Sequence, residues 1–277
     1  MTLLVTGATG SVGGAVFRSL LEAGVDVRGG SRRPESAGLP SGTAVAFDLG
    51  DPATFGPALH GVDRVFLYAS TDDLAPFLQA AHAAGDPHIV LLSSASVVES
   101  GADSNAIAQH HRGLEEAITA SGLPATFLRP GDFATNTLTW VRSVRQTGSV
   151  QLPHADAQLA PIHELDIADV AVAALTRDEL TGQAPVLTGP ANVTQREQVA
   201  AIGRALGRSL DVEELTPDQA RERMATYLPA PIVETLVAFL AARVDTPSEL
   251  TAQVETITGH PARPFDAWAA DHVDAFR

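Results

Sequence analysis

Residues 3–16 read LLVTGATGSVGGAV, and this stretch decides which fold the chain can adopt. Its apolar start is typical of a buried strand, and the residues after the last glycine are typical of a helix. Gly7, Gly10 and Gly13 lie between the two at a Gly-x-x-Gly-x-x-Gly spacing. Such glycines permit a tight turn and let the backbone approach a pyrophosphate at the N-terminus of the helix. We therefore predict a dinucleotide-binding βαβ unit; a plain glycine-rich turn is the alternative.

The remainder of the first half alternates short apolar runs with longer helical patterns. Strands are predicted at 3–6, 25–29, 43–47, 63–68, 88–93 and 125–129, and helices at 11–23, 51–59, 72–84, 104–121 and 133–146. Strands that alternate with helices are typical of a parallel sheet with right-handed crossovers. The predicted fold is therefore α/β, with a doubly wound, Rossmann-like parallel sheet.

The pattern changes after about residue 147, where short strand candidates mix with a mostly helical C-terminal part. We predict an NADP-binding domain at 1–148 and a smaller, mostly helical α/β lobe at 149–277 that binds substrate over the carboxyl ends of the sheet. A helix over 166–177 is expected to pack back onto the first domain. Capping boxes predict three further helix starts: Thr194 with Glu197, Thr216 with Gln219, and Thr246 with Glu249.

Composition excludes several classes of function. A net charge of −15 argues against nucleic acid and anionic membranes as partners, since both require basic patches. The absence of cysteine excludes disulfides and thiolate chemistry. All 18 basic residues are arginine, so lysine-based catalysis is excluded as well. The N-terminus enters a strand without a targeting pattern, and no apolar run approaches the roughly 18 residues of a membrane span. We expect a cytoplasmic protein.

The end of the second predicted strand indicates which dinucleotide binds. A site for NAD would carry an acidic residue there, to bind the ribose 2′-hydroxyl. This chain has GGSRRP at 29–34, with Arg32 and Arg33 and no carboxylate before Glu35. A guanidinium can hold a 2′-phosphate through charge-assisted, forked hydrogen bonds. NADP(H) is therefore favoured, and two exposed loop arginines are the alternative.

Several motifs, in order along nearly the whole chain, resemble a known family. They are TGATGSVGG (6–14), SRRP (31–34), FDLGDP (47–52), LLSSASV (91–97), SGLPATFLRPGDFATN (121–136), DIADVA (166–171), LTGP (187–190) and GHPARPFDAWAADHVDAF (259–276). The chain is similar to the NmrA-like atypical short-chain dehydrogenase/reductases, the group that includes bacterial NAD(P)H:quinone oxidoreductases.

The resemblance implies a set of cofactor contacts. Thr9, Ser11 and Val12 would line the pyrophosphate turn, and Arg32 would meet the 2′-phosphate. Asp48 and Leu49 would flank the adenine. The contacts implied for the ribose and nicotinamide end are Ala69, Ser70, Ser93, Ser94, Pro130 and Phe133. Two of the implied cofactor contacts also have a purely structural interpretation: Asp48 would cap the next helix, and Phe133 would be a core residue.

The catalytic residues implied by the resemblance are incomplete. The superfamily generally uses a serine with Tyr-x-x-x-Lys; here Ser94 stands at the serine position, and His111 and Glu115 stand at the tyrosine and lysine positions. Because His111 and Glu115 are four residues apart on one helix, they can form a hydrogen-bonded pair. Either His111 is a general acid, or the pair only orients the helix. A metal site completed by His163 is less favoured, and no metal is predicted.

These features together predict an NADPH-dependent reductase that transfers a hydride to a small aromatic carbonyl or quinone. A polyketide ketoreductase is one enzyme of this kind. Water or the substrate is expected to supply the proton. The predicted substrate contacts are Phe133, Trp140, His163, Met224 and Tyr227, with 217–243 as a lid or, alternatively, ordinary core. A monomer or homodimer is expected. The alternative function is a non-catalytic NADP(H)-sensing regulator of NmrA type.

Overall fold

A parallel sheet forms the centre of the molecule, and it confirms the predicted doubly wound, Rossmann-like α/β fold. The structure is a computed structural model that describes residues 1–69 and 73–277. Its strands are β1 (Thr2–Val5), β2 (Asp26–Ser31), β3 (Ala44–Ala46), β4 (Arg64–Leu67), β5 (His88–Leu92), β6 (Ala125–Pro130), β7 (Ser149–Pro153), β8 (Gln158–Leu159), β9 (Val186–Leu187), β10 (Val193–Thr194) and β11 (Asp211–Leu215). The central sheet has the order β3-β2-β1-β4-β5-β6-β9, and its strands are all parallel.

The order of the strands reverses beside β1. β2 and β3 lie on one side of it, while β4, β5 and β6 follow on the other. In open α/β sheets a ligand binds at this kind of switch point, outside the carboxyl ends of the strands. The segments after β1 and β4 are joined there, because the amide of Tyr68 donates to the hydroxyl of Thr6 at 2.8 Å. The fold therefore places a crevice directly beside the glycine-rich turn.

Helices cover both faces of the sheet. They are α1 (Ser11–Glu22), α2 (Phe55–Leu59), α3 (Ala75–Ala83), α4 (Ala106–Ser121), α5 (Val141–Thr147), α6 (Glu164–Thr176), α7 (Gln195–Leu206), α8 (Pro217–Met224), α9 (Ala230–Asp245), α10 (Gln253–Thr258), α11 (Phe265–Asp271) and α12 (Val273–Phe276). α1, α6 and α10 bury their apolar side chains on one face, and α2, α3 and α4 bury theirs on the other. Within the described residues, no helix has the length and apolar character needed to cross a membrane.

The smaller lobe has a core of its own. Its strands form two pairs, β7 with β11 and β8 with β10. Trp268 and Phe276 are fully buried at the centre of this core, among side chains from α5, α7, α11 and α12. α8 and α9 form a separate, thinner cluster in which Ala220, Val233 and Val237 are buried. These two helices therefore have less packing to hold them than the rest of the lobe.

The chain returns to the central sheet several times after residue 148. α6 packs against α1, as the sequence predicts. The sequence did not predict that β9 pairs with β6 and adds a seventh strand to the sheet. α10 then packs on α6 and buries Val254 in the same core. The domain boundary at 148 stays a prediction, and the chain after it both forms the smaller lobe and completes the central sheet.

Two of the three predicted capping boxes are confirmed. Thr194 caps α7 and Thr216 caps α8, each with the reciprocal bond from the third helical residue. The prediction at Thr246 is wrong: this residue ends α9, and the next helix starts at Gln253. The intervening segment instead bonds to the chain around β9, where Thr251 donates to the carbonyl of Val186 at 2.7 Å. Tertiary hydrogen bonds override the local capping signal there.

Candidate active site

A cleft of about 1090 Å³ opens at the carboxyl ends of β1, β2 and β4. It contains most of the cofactor contacts proposed from the sequence. Those that line it are Gly7, Thr9, Gly10, Ser11, Val12, Gly13, Arg32, Arg33, Asp48, Leu49 and Phe133. Ala69, Ser93 and Pro130 are buried just outside this lining. Ser70 lies outside the described residues.

The glycine-rich turn has the geometry that a pyrophosphate requires. Gly7 has a φ of +62°, which favours glycine, and its carbonyl accepts the amide of Gly10 at 2.9 Å. A Cβ added to Gly13 would lie 2.4 Å from the oxygen of Gly7, so only glycine lets the helix start so close to the strand. Gly10 caps α1 without a side-chain bond. The first amides of α1 therefore remain available to a phosphate.

The far end of the cleft carries two arginines. Arg32 and Arg33 are exposed and line the cleft, and among the ion pairs of residues 1–69 and 73–277 neither has a carboxylate partner. Asp48, which follows the neighbouring strand β3, also lines the cleft, and its carboxylate accepts the amide of Gly50 at 2.9 Å. Asp48 thus shapes the cleft wall and holds the local turn. Two exposed guanidinium groups at this end suit a phosphate group on the adenosine ribose.

Glu115 joins α4 to β6. Its carboxylate accepts hydrogen bonds from Nε of Arg129 at 2.9 Å and from the hydroxyl of Ser93 at 2.6 Å, and Nη2 of Arg129 completes a forked pair. Glu115 is only 6% exposed. The predicted pair of Glu115 with His111 is therefore wrong, because an arginine from the neighbouring strand takes the carboxylate. This arrangement fixes Ser93 at the end of β5.

His111 does not bond to Glu115. Its Nδ1 is buried and has no hydrogen-bond partner among the described residues. Burial lowers the pKa of His111 to about 4; the neighbouring His110 adds to the fall, and the negative charge of Glu115 opposes it. The imidazole is therefore neutral at pH 7, which argues against a general-acid role.

Ser94 lies two residues after the end of β5 and is half-buried. Its hydroxyl accepts the amide of Ser96 at 3.2 Å and lies 2.9 Å from the hydroxyl of Ser96. It caps the short 3-10 turn over Ala95–Val97. Ser94 is therefore held in a fixed position at the sheet edge, although it does not line the cleft itself.

The cleft and its glycine-rich turn have counterparts in known proteins, since residues 7–178 match a family model described as NAD(P)H-binding. The chain belongs to the NAD(P)H-binding family. A (4-alkanoyl-5-oxo-2,5-dihydrofuran-3-yl)methyl phosphate reductase of Streptomyces griseus is 41% identical to it, over 99% of both chains. An NAD(P)H azoreductase of Xenophilus azovorans is 32% identical, also over 99% of both chains. The crystal structure of an NADPH-dependent quinone oxidoreductase of Escherichia coli with NADPH has the same fold, with a TM-score of 0.81 at 22% identity over 98% of this chain and 99% of that one.

These similarities confirm the reductase family that the sequence motifs indicate, and this member is an NAD(P)H-dependent oxidoreductase. Its predicted substrate contacts are spread widely. Phe133 lines the inner end of the cleft, whereas Trp140 packs at the edge of the core of the smaller lobe. Met224 packs in the α8–α9 cluster, and Tyr227 is 62% exposed. Of these four residues, Phe133 alone is in the cleft lining.

The position of His163 has a structural explanation within this reductase. Its Nδ1 accepts the amide of Leu165 at 3.1 Å and so caps α6, and its Nε2 lies 3.3 Å from Asp271. Glu164 and His272 lie close enough to share a cation with it. However, Glu164 already binds Trp268 at 3.0 Å and His272 at 2.8 Å. We assign this cluster to the docking of the C-terminal helices on α6, away from the cleft.

Tyr68 and Asp132 were not proposed as site residues from the sequence; Tyr68 belongs to the cleft lining, and Asp132 lies outside it. Tyr68 lines the cleft immediately after β4, beside Gly7, and is 54% exposed. Asp132 lies in the loop after β6, next to Phe133. Burial raises the pKa of Asp132 to about 7; Glu99 adds to the rise, while Arg243 and a backbone hydrogen bond within Asp132 oppose it. The signal in the sequence is a lone acidic residue between two proposed cofactor contacts, in RPGDF.

Proposed function

We propose that this reductase uses NADPH to reduce a small conjugated carbonyl compound, with quinones and aromatic ketones as the first candidates. One observation carries the proposal. Where β2 ends, the cleft has two arginines without a carboxylate partner among the described residues, and where β4, β5 and β6 end it has aromatic and apolar side chains from Tyr68, Leu92 and Phe133. The first end suits the 2′-phosphate of NADPH, and the second suits a flat ring.

The names of the relatives support an acceptor of this kind. The Streptomyces relative is named for an unsaturated oxo-dihydrofuran that carries an alkanoyl group, the Xenophilus relative for azo compounds, and the Escherichia coli neighbour for quinones. Each acceptor has a conjugated double bond at which hydride addition leaves a delocalised anion. A delocalised anion needs less help with its proton than a simple alkoxide does. A polyketide ketone with a phenolic ring belongs to the same chemical class.

The chain's own residues would bind and orient the cofactor. When bound, NADPH supplies the hydride. The amides at the start of α1 would hold the pyrophosphate, and Arg32 would hold the 2′-phosphate. The buried Glu115–Arg129 pair would keep Ser93 in position beside the nicotinamide end. Ser94 would offer a hydroxyl to the oxygen of the acceptor.

Turnover measurements test this function. NADPH oxidation is followed with menadione, an aromatic ketone, and an acyl-substituted unsaturated lactone with and without a phosphate group. We expect at least one of these conjugated acceptors to be reduced, and a saturated ketone of similar size to react much more slowly. Absence of turnover with every acceptor, combined with different affinities for NADPH and NADP⁺, would support a sensor of the cofactor's redox state instead.

A further inference from the structure

We infer that His163 is a pH-sensitive latch that docks the C-terminal helices on α6. In its neutral form the imidazole caps α6, and in its charged form it pairs with the carboxylates that hold α11. The inference concerns the docking of these helices and does not depend on which acceptor the enzyme reduces.

His163 lies between two layers of the molecule. It directly precedes α6, which packs on α1 beside the central sheet, and it is only 1% exposed. Its Nε2 lies 3.3 Å from Oδ2 of Asp271, the last residue of α11. The imidazole therefore joins the helix layer of the central sheet to the C-terminal helices of the smaller lobe.

Nδ1 of His163 has two competing partners. One is the amide of Leu165, which donates to it at 3.1 Å and so requires a nitrogen without a proton. The other is Oε2 of Glu164 at 3.3 Å, a carboxylate oxygen that requires a proton on the nitrogen. One nitrogen cannot serve both partners at once. Protonation of the ring therefore exchanges the helix cap for an ion pair.

Glu164 transmits this exchange to the C-terminal helices. It is 7% exposed, and its carboxylate accepts Nε1 of Trp268 at 3.0 Å and lies 2.8 Å from Nε2 of His272. The ring of His272 stacks on Trp268, with centroids 4.4 Å apart. Trp268 is fully buried at the centre of the core of the smaller lobe. A charged His163 thus pairs with the carboxylate that binds this core residue.

The charges around His163 favour its protonated form. The titratable groups that face it from α6 and from the end of α11 are Glu164, Asp166, Asp271 and His272. Arg263, which precedes α11, pairs with Asp166 and offsets its charge. Burial opposes a charged ring, but the hydrogen bonds and charges of Glu164 and Asp271, with the charge of Asp166, raise the pKa of His163 above its ordinary 6.5.

Protonation of His163 should therefore stabilise the docked C-terminal helices. Because the pKa is raised above 6.5 by folding, the folded protein holds the proton more tightly than the unfolded chain does. The stabilisation is complete below pH 6.5 and is lost as the pH rises through the raised pKa. The neutral ring then caps α6 again and keeps its bond from Nε2 to Asp271.

The latch lies next to the backbone bridge that supports Phe133. The amide of Ile162, the residue before His163, donates to the carbonyl of Asp132 at 2.7 Å, and the carbonyl of Ile162 accepts the amide of Ala134 at 2.9 Å. These bonds form a parallel bridge between Ile162 and Phe133, which lines the cleft. A change of partner at His163 is therefore one residue along the chain from the support of the cleft wall.

Nuclear magnetic resonance of the wild-type protein tests the exchange of partners without any turnover. The ring nitrogens of His163 should show the Nε2–H tautomer at high pH and a doubly protonated ring at low pH, with a pKa above 6.5. The amide signal of Leu165 should move with the same pKa, because this amide loses its acceptor. A Leu165 amide that does not respond to the titration of His163, or a ring that keeps one charge state from pH 5 to pH 9, would overturn the inference.

Hydrogen exchange measures the docking itself. After correction for the intrinsic effect of pH, amides of α11 and α12 should be better protected at pH 6 than at pH 8 in wild type. His163→Asn keeps an acceptor for the Leu165 amide but carries no charge, so the ratio of protection at the two pH values should fall to about 1. His60→Asn, at an exposed histidine, is the control and should match wild type. A wild-type ratio that persists in His163→Asn would contradict the latch.

Asp271→Asn should move the switch in a defined direction. It removes a negative charge that favours the protonated ring, so the Leu165 amide should titrate at a lower pH than in wild type. Asp266→Asn is the matched control, because Asp266 lies on the same helix but is exposed and pairs with Arg204. It should leave the midpoint unchanged. An unchanged midpoint in Asp271→Asn would show that this carboxylate does not stabilise the charge of His163, and the inference would fail.

Discussion

We expect Arg32 and Arg33 to decide which dinucleotide fits the cleft, because they are the charged side chains that follow the second strand and line the cleft. An arginine that already pairs with a carboxylate contributes little free energy to the binding of a phosphate. These two have no such partner among the described residues, so a 2′-phosphate would be their first strong anion. The contribution of each arginine to cofactor preference can be measured by replacing it.

Arg32→Ala should weaken NADPH binding by about 1.5–3 kcal/mol, the contribution of a charge-assisted hydrogen-bonded pair, and should leave NADH binding nearly unchanged. Calorimetric titration of both cofactors measures this. Arg112→Ala removes an arginine that pairs with Asp103 and serves as the control, with no change for either cofactor. Equal losses for NADPH and NADH would mean that Arg32 does not contact the 2′-phosphate.

The Glu115–Arg129 pair should contribute much more to stability than the more exposed pair of Arg112 with Asp103, in which the arginine lies on the same helix as Glu115. Arg129→Met leaves a buried carboxylate without its cation, so we expect a loss of about 3–5 kcal/mol in the free energy of unfolding. Urea denaturation measures it. Arg112→Met, which breaks the exposed pair with Asp103, should lower it by less than about 1 kcal/mol. Similar losses in the two variants would show that burial of Glu115 does not govern the pair.

At the scale of elements, α8 and α9 differ from the other helices. They bury few side chains. α9 contacts the segment after β5 through Arg243, which pairs with Glu99. A helix with this little packing opens at low energetic cost, as expected of a segment that admits a substrate. We therefore keep the proposal that 217–243 is a lid.

Hydrogen exchange should reveal the lid. In the free protein, amides of 217–243 should exchange faster than those of α6, whose residues are mostly buried. Binding of NADP⁺ together with an aromatic ketone should slow exchange in 217–243 more than NADP⁺ alone does. α6 is the internal reference and should not change. Identical exchange across 217–243 in the two complexes would remove the lid and leave an ordinary surface helix pair.

The sequence predicts elements well where the determining signals are local. The glycine-rich turn was predicted correctly because its strand, glycines and helix are adjacent along the chain. The bonding partner of Glu115 was not, because Arg129 comes from another element and competes with His111. Signals that depend on distant contacts are absent from any window of the sequence.

At the scale of the whole molecule, His88 and His111, two histidines with a lowered pKa, should govern stability in acid. Burial lowers the pKa of His88 and that of His111 to about 4, from the ordinary 6.5. The folded state thus binds fewer protons than the unfolded state between these values. The stabilisation is complete above pH 6.5 and is lost as the pH falls toward 4, by up to about 3 kcal/mol for the more deeply buried His88.

Urea unfolding at pH 7 and at pH 5 measures this loss. His88 lies 3.0 Å from the hydroxyl of Thr126, which itself donates to Leu180, so the ring donates to Thr126. His88→Gln keeps a donor at this position without a titrating group, and it should reduce the acid loss. His60→Gln, an exposed histidine, is the control. An unchanged pH dependence in His88→Gln would show that other groups cause the loss.

β9 is synthesised well after β6, the strand with which it pairs, and this order affects how the chain folds during translation. When the first 148 residues have left the ribosome, the edge of β6 has no neighbour, and the face of the sheet that α6 later covers is bare. An unpaired edge beside exposed apolar side chains favours association with other chains. The nascent chain stays in this vulnerable state until the segment around residue 187 emerges and pairs with β6. We therefore expect the two lobes to fold as a single unit, and a recombinant fragment that stops between them would lack the strand that closes the sheet.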